Sequence, residues 1–461
     1  MATATLISTR RAHLVPGVLT VILLAAAPVP AAAKEEPVNA FTIAGSIRVR
    51  AEAIDGQFRA VGPVSDMVVS VRTLVSAEYD FGAIRVGGEL DDSRAYGESR
   101  VSTIGTSDVN ALEPLQAYVA LDLGHVVGRG ASGALTFGRF TLDQGSGRLI
   151  ARPDFSDSPP SYLGVDLDWE DKAGNRVVAF WTMPFDRLPG DSTGIRHARA
   201  QWDHATAERQ FFGISATKSG VLGKASLELY GYGLQERDGP ETQTRNRRLG
   251  TFGGRLFLAP AGGMLDYEAE AAIQRGRVRA TTAASDLTDL TVAASFAHAE
   301  IGGTVGSGWT PRVAAVLDFA SGDGPGAHYG RFDPLYGSGR PDFGPTSLYG
   351  AVNRPNLVSV GVMLDARPSK KTDFYLKGRA VWLAQPTDSF GSSGVRDKSG
   401  RSGAFAGMQL EARARTWLLA KRLRLEGGGA WLAKGHFLEA APNAPVTGDT
   451  QYGYMAMTAS F

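Results

Sequence analysis

Residues 265–274 read LDYEAEAAIQ, and their apolar and polar side chains alternate along the chain. Leu265 and Tyr267 fall on one face of this segment, whereas Asp266 and Glu268 fall on the other. Because successive side chains of a β-strand point to opposite faces, this period of two predicts a strand with one apolar and one charged face.

The same alternation recurs on both sides of this segment. It is found in residues 47–52, 374–382, 408–415 and 423–432, and similar runs occupy residues 68–81, 83–91, 115–123, 176–182, 225–234 and 313–319. Together these runs predict roughly 16 to 18 strands of about 10 residues each, a number that suits one closed barrel. A sandwich also alternates, but it buries its apolar faces between two sheets. So many long strands favour an all-β, transmembrane antiparallel barrel closed around a lumen.

Composition agrees with many strands joined by tight turns. The chain of 461 residues holds 57 glycines and no cysteine, and its formal net charge of +1 says little about partners. Disulfides therefore do not stabilise the fold. Beyond the N-terminal region, charged residues interrupt every apolar stretch well before the length of about 20 residues that a membrane helix needs. Any membrane insertion is expected to be by strands.

The N-terminus has the pattern of a secretory signal peptide. Arg10 and Arg11 precede an apolar run at residues 18–27, and small residues at 31–33 come before Lys34. The apolar run has about half the length that a spanning helix needs, so cleavage is favoured over a retained anchor. We expect a signal peptide at residues 1–33 and a barrel at residues 34–461.

The C-terminus is an alternating segment that ends on an aromatic residue. Residues 451–461 read QYGYMAMTASF. This segment resembles the last strand of outer-membrane barrels, and the resemblance implies that Phe461 is read by the barrel-assembly machinery. With the signal peptide, it predicts export through the periplasm to the outer membrane of a Gram-negative bacterium.

Turn and loop lengths predict which end of the barrel faces outward. Short turns at residues 173–175 and 369–371 are expected on the periplasmic side, and longer stretches at residues 93–110, 142–160, 235–246, 321–356, 387–400 and 440–449 are expected outside. Residues 321–356 are too many for a plain connection. They fit a lid or a fold into the lumen, or else a loose surface loop.

Several segments resemble the alginate-export family of outer-membrane barrels, particularly its sphingomonad-type members. They are GRFTLDQGSGRLIAR (138–152), YGRFDPLYGSGRPDFGPTSLYG (329–350), ARPSKKTDFYLKGRAVWLAQPTDSF (366–390) and APNAPVTGDTQYGYMAMTASF (441–461). The resemblance covers most of the mature chain. It implies a monomeric barrel with an arginine-rich lumen through which the polyuronate alginate leaves the cell. The guanidinium group of arginine can bind a carboxylate through bidentate hydrogen bonds, and rings of positive charge select anions.

Arginines on the polar faces are the candidate lining of such a path, since an arginine at the lipid midplane would cost about 2 to 4 kcal/mol. The candidates are Arg139, Arg148 and Arg152 in a family-like segment, and Arg48, Arg50, Arg72, Arg85, Arg379, Arg413, Arg415 and Arg424 on strands. Glutamates such as Glu52, Glu268 and Glu411 share these faces. The lumen is thus predicted to be mixed in charge, and each arginine either contacts a solute or pairs with a neighbour.

Other chemistry has weak support in the sequence. The seven histidines, His298 among them, occur singly and without catalytic or metal-ligand spacing. Asp323, or Asp154 with Asp157, would be too sparse for a calcium site. Gly427 to Gly429 lie on a strand, so a nucleotide loop is not expected. Arg245, Arg247 and Arg248 flank a strand and suit a lipopolysaccharide contact better than nucleic acid.

The sequence therefore predicts a passive outer-membrane porin for anionic or polar saccharide-like solutes, with no enzyme activity, cofactor or metal. Its expected partners are outer-membrane lipid and lipopolysaccharide, the assembly machinery and the solute. Two alternatives stay open. One is a general diffusion or uptake porin without polysaccharide specificity, and the other is a surface-binding barrel with a closed lumen.

Overall fold

The structure is a computed structural model that describes residues 40–124, 128, 130–240, 242–306 and 308–461. The expected signal peptide lies outside the described residues. Within them, no helix has the length and apolar character needed to cross a membrane.

The described chain is almost entirely β-structure. Of twenty strands, two have only two residues, β8 (His204–Ala205) and β15 (His328–Tyr329), and the other eighteen form the barrel wall. The wall strands are β1 (Ala40–Asp55), β2 (Asp66–Asp80), β3 (Ile84–Tyr96), β4 (Asn110–Asp122), β5 (Ser132–Phe140), β6 (Tyr162–Glu170), β7 (Arg176–Asp186), β9 (Arg209–Leu222), β10 (Ala225–Glu236), β11 (Arg248–Leu258), β12 (Leu265–Arg279), β13 (Asp289–Thr304), β14 (Arg312–Ala320), β16 (Leu357–Ser369), β17 (Thr372–Trp382), β18 (Phe405–Leu419), β19 (Leu423–Lys434) and β20 (Thr450–Ser460). Three short helices lie in loops: α1 (Ser192–Arg196), α2 (Arg340–Phe343) and α3 (His436–Ala440).

Each wall strand pairs antiparallel with its neighbours, and the last strand closes on the first. Arg48 on β1 lies opposite Thr458 on β20, and the backbone N–H of Gly45 donates to the carbonyl of Phe461 at 3.0 Å. Closure leaves no unpaired sheet edge, which is what a lipid environment demands of a β-structure. The prediction of 16 to 18 barrel strands is confirmed at its upper end.

Side chains of the wall strands point alternately into the lumen and out to the surface, as the sequence indicates. On β14 the inward side chains Arg312, Val316 and Asp318 are buried, whereas Val313 and Leu317 are 54% and 46% exposed on the outer surface. The barrel is therefore apolar toward lipid, and its charged faces point into the lumen.

Short turns and long loops lie at opposite ends of the barrel. The turns at residues 171–175 and 370–371 share one end, which we call the turn end, and the long connections share the other, the loop end. All six stretches predicted as long outer loops lie at the loop end. Residues 187–208, which carry α1, form a further long loop there that was not predicted from the sequence.

Two strand glycines give room to aromatic rings. A Cβ on Gly45 would lie 2.4 Å from the ring of Phe461, and a Cβ on Gly428 would lie 2.7 Å from the ring of Tyr454, its cross-strand partner. These glycines let the terminal aromatic residue and an inward tyrosine pack flat against the wall.

We predict that charge on the outer face destabilises the barrel according to depth. Leu317→Arg, near the middle of β14, should cost about 2 to 4 kcal/mol of unfolding free energy, because the guanidinium would face hydrocarbon. Val313→Arg, on the same face near the turn end, should cost about 0 to 1 kcal/mol. Urea titrations in lipid vesicles, followed by tryptophan fluorescence, measure both, and equal losses would contradict this depth assignment.

Candidate functional site

Two long loops fold into the lumen. They are residues 141–161, between β5 and β6, and residues 321–356, between β14 and β16. Ile150 of the first forms a β-bridge to Tyr336 of the second, and both Phe343 and Tyr349 are at most 1% exposed. The inward fold, rather than a loose surface loop, is therefore what the structure has for residues 321–356.

Arginines of β1 and β2 hold the first loop against the wall. The Nη2 atoms of Arg48 and Arg50 lie 2.7 and 2.6 Å from the two carboxylate oxygens of Asp157, which is fully buried. Arg72 donates to the backbone carbonyls of Asp154 and Ser156 at 3.1 and 3.0 Å. These three predicted lumen arginines do point inward, and in the structure they bind this loop.

Asp342 in α2 is the corresponding anchor of the second loop. Its carboxylate accepts from Arg148 at 2.9 Å and also from Arg354. Its backbone carbonyl accepts from Lys377 at 2.9 Å and from Arg379 on the wall. The second loop is thus tied both to the first loop and to β17.

The charges around Asp342 keep it ionised. Burial alone would raise the pKa of this carboxyl, but Arg148 and Arg354 outweigh burial and hold the pKa well below its usual range. Since the folded pKa is depressed, the stabilisation from Asp342 is present above the ordinary aspartate pKa and is lost only as the pH falls below it. The anchor should therefore persist in mild acid.

A histidine that stands alone in the sequence joins this anchor. Nδ1 of His298 lies 2.7 Å from Asp318, and both residues lie close to Asp342 in an arrangement that could hold a metal ion. However, Arg379 contacts Asp318 at 3.3 Å and Arg354 contacts Asp342. The carboxylates are already neutralised by guanidinium groups, so a divalent cation would meet opposing positive charge.

Arg139 connects β4 to the loops of residues 141–161 and 187–208. It lies 2.5 Å from Glu113 on β4, donates to the Ser161 hydroxyl at 3.0 Å and lies 3.4 Å from Asp203. Its guanidinium also stacks 3.7 Å from the ring centroid of Phe185. Arg139, like Arg148, is surrounded by protein partners.

Below the two loops, toward the turn end, lies a cavity of about 730 Å³, which we call the chamber. Its cationic lining is Arg152, Arg176, Arg340, Lys377, Arg413 and Arg415, and its acidic lining is Asp143, Asp154, Asp365 and Glu426. The side chains of Arg152, Arg415 and Arg176 are 29%, 31% and 38% exposed, so each keeps N–H groups open to the cavity. The chamber is mixed in charge but has a cationic excess.

Two further cavities continue the chamber to the turn-end mouth. One of about 430 Å³ shares Arg413, Arg415 and Asp365 with it. The next, of about 490 Å³, shares Arg415 and Arg367 with the second and reaches the exposed Lys370 and Lys371. Because neighbouring cavities share lining residues, the three cavities form one continuous basic path from the turn-end mouth to the two loops.

A cavity of about 410 Å³ lies on the other side of the second loop. It touches Gly337 and Gly339, whereas the chamber touches Ser338, Arg340 and Pro341. Residues 337–341 therefore separate the space near the loop end from the chamber. We call this segment the partition.

The other predicted arginines are dispersed. Arg85 lies 3.5 Å from Glu78 near the turn end, and Arg424 lies 3.6 Å from Asp154. Arg176 and Arg340 are chamber residues that were not predicted from the sequence. Arg176 begins a segment that was predicted as a strand, and Arg340 lies in a segment that resembles the family. The sequence therefore indicated where these two residues lie, but not that their side chains point into the chamber.

A closed eighteen-strand barrel with an apolar outer surface and a charged lumen defines an outer-membrane channel. The chain belongs to the alginate export family, whose model matches residues 40–448. No curated protein matches the chain in sequence. Its location in the outer membrane follows from the family and the fold.

Solved structures share the architecture. Acinetobacter baumannii OccAB1 has a TM-score of 0.58 at 12% identity and covers 91% of this chain and 96% of its own. Pseudomonas aeruginosa OccK2 in complex with glucuronate has a TM-score of 0.57 at 12% identity, with coverages of 91% and 96%. Pseudomonas aeruginosa OprD has a TM-score of 0.52 at 14% identity, with coverages of 91% and 95%. At such identities the likeness concerns the fold alone.

We predict that Asp342→Ala releases the second loop without unfolding the barrel. Breaking a buried ion pair on one side costs about 3 to 5 kcal/mol, and the strand pairing does not involve this side chain. Single-channel conductance should rise, and chymotrypsin should gain access to Phe343 and Tyr349, which are buried in the intact loop. The control is Asp286→Ala, which removes an exposed carboxylate that bonds within its own loop at Thr281 and Thr288. Unchanged conductance and cleavage in Asp342→Ala would show that Asp342 is not the anchor.

Proposed function

We propose that the protein is a passive channel for anionic or polar saccharide-like solutes, with the chamber as its selective segment. The observation that carries this proposal is the set of partly exposed guanidinium groups, Arg152, Arg176 and Arg415, around one cavity of about 730 Å³. The description of the family as alginate export and the glucuronate in the OccK2 structure agree with an acidic sugar as solute.

The chemistry of the chamber suits transit of carboxylates. A uronate loses part of its hydration in a narrow lumen, and a guanidinium replaces it with two parallel hydrogen bonds. Arg413 and Arg415 both share Asp373, with Nη2 and Nε at 2.7 and 3.1 Å from one of its oxygens. A carboxylate shared in this way leaves N–H groups unused. The nearby acids keep binding weak enough for release, which conduction requires.

The predicted arginines thereby take different proposed roles. Arg152, Arg413 and Arg415 line the solute path, together with Arg176 and Arg340. The arginines that hold loops shape the lumen instead; they are Arg48, Arg50, Arg72, Arg139, Arg148 and Arg379. Arg85 and Arg424 lie nearer the turn end and would contribute long-range attraction of anions.

A general diffusion porin is the second candidate, and the acidic chamber lining favours it. Asp365 and Glu426 face the same cavity as the arginines, and Arg340 lies 2.7 Å from Glu426. If such pairs neutralise one another fully, charge no longer selects the solute. A barrel with its lumen closed by the two loops, used for surface binding, would conduct no ions.

Export and assembly complete the proposal. Residues 1–33 act as the signal peptide, and Phe461, directly after β20, provides the assembly signal. Solute passage needs no catalytic group, so we propose a channel without enzyme activity.

We predict that the chamber makes the channel anion-selective. In a planar bilayer under a salt gradient, the reversal potential should indicate anion preference, and oligouronates added on the turn-end side should block the current. Arg413→Gln with Arg415→Gln should lower the anion-to-cation permeability ratio several-fold, since two fixed charges leave the path.

Arg94→Gln is the matched control, because Arg94 on β3 faces outward and pairs with Asp92 at 3.0 Å. Unselective pores indifferent to oligouronates would support the general porin. Absence of conductance would support the closed barrel.

A further inference from the structure

We propose that Arg248, Arg275 and Arg277 form a binding site on the outer wall for the phosphate groups of a lipid headgroup in the outer leaflet. This site lies outside the lumen and is independent of the solute path. Arg248 is on β11, and the other two are on β12. All three side chains are exposed.

Strand register brings the three guanidinium groups together on one face. Arg248 lies directly opposite Arg277 in the β11–β12 pairing. Arg275 is two residues from Arg277, so its side chain points to the same side. Residues directly opposite in such a pair have Cα atoms about 4.5 to 5.5 Å apart, so three cations share a small patch.

The patch lies just above the apolar belt of the barrel. Ile273 precedes Arg275 on the same face of β12 and is 48% exposed, and Phe252 on β11 is 59% exposed. Both strands reach the loop end within a few residues of the arginines. The loop end of an outer-membrane barrel faces the cell exterior. The patch therefore lies at the level where the acyl chains of the outer leaflet meet their headgroups.

The protein does not neutralise this patch. Arg277 has no partner among the described residues, and Arg275 donates only to the backbone carbonyl of Gln274, at 2.9 Å. Of the three, Arg248 alone has a carboxylate partner in the described ranges, Asp289. The neighbours opposite Arg275 and Arg277 on β13 are Ala293 and Thr291, which carry no charge. Like charges directly opposite one another destabilise a strand pair unless an anion lies between them.

Another outward arginine near the loop end shows the contrast. Arg94 on β3 lies 3.0 Å from Asp92 on the same face, so that pair needs no external anion. The β11–β12 patch has three cations and one carboxylate. A phosphate accepts the parallel hydrogen bonds that guanidinium groups donate, and the exposed Phe252, Ile273 and Leu229 offer an apolar surface to the attached acyl chains.

The test is native mass spectrometry of the full-length barrel, titrated in detergent with bisphosphorylated lipid A and with the same lipid after removal of its phosphates. Wild-type protein should bind the phosphorylated lipid at least about tenfold more tightly, since each arginine near a charged lipid surface contributes appreciably. The triple variant R248Q/R275Q/R277Q should lose that preference, whereas R94Q should keep it. Chelator in the buffer removes cation bridges.

Inorganic phosphate in excess should not displace the lipid. Displacement would overturn the lipid as the source of the phosphate, and equal binding of both lipids, or by the triple variant, would overturn the site. Heat-modifiable migration and unaltered conductance show that the triple variant is folded. If it does not fold, R277Q alone replaces it, since Arg277 has no partner to lose in the described part of the chain, and it should weaken the preference several-fold.

Discussion

The structure depends on where its arginines can be placed. Lipid excludes charge from the outer face, so arginines within the wall must point into the lumen, where desolvation makes an unpaired guanidinium costly. Asp157 and Asp342 resolve this problem from the loops. Asp157 brings a buried carboxylate to Arg48 and Arg50 of the wall. The carboxylate of Asp342 pairs with the loop arginines Arg148 and Arg354, and its backbone carbonyl accepts from Lys377 and Arg379 of the wall. The lumen is narrowed because its wall charges require partners.

This requirement gives a physical reason for the inward fold of the two loops. The loop of residues 141–161 faces Arg48, Arg50 and Arg72, and the loop of residues 321–356 carries α2 to Lys377 and Arg379. Once the loops satisfy the central arginines, the chamber arginines toward the turn end keep partly open N–H groups. The narrowing of the lumen and the charge that remains in the chamber therefore have a common origin in the placement of the arginines.

Much of the wall was predictable from the sequence, because one face of each strand must be apolar in lipid. Segment 265–274 and its repeats predicted the strand number, and the cost of arginine in hydrocarbon predicted that Arg48 and Arg379 face inward. Contacts between side chains that are far apart in the sequence were not predictable. Arg48 meets Asp157 more than one hundred residues away, and His298, Asp318 and Asp342 come from three elements. The inward fold of 321–356 was one of two possibilities, since its length alone does not identify its partners.

The number of arginines is a poor guide to selectivity, because the same side chain has three kinds of environment here. Arg148 meets three carboxylates and is buried, Arg415 shares one carboxylate and is partly open, and Arg277 has no partner among the described residues. The position of an arginine in the alternation of its strand decides whether it faces the lumen or the membrane. The loop that faces it then decides how many of its N–H groups are paired with carboxylates or carbonyls. Arginine in a family-like segment therefore does not identify a solute contact: Arg139, in such a segment, is enclosed by Glu113 and Ser161, whereas Arg176, outside the quoted segments, faces the chamber. The positive charge available in this lumen is therefore the charge that the loops leave unpaired.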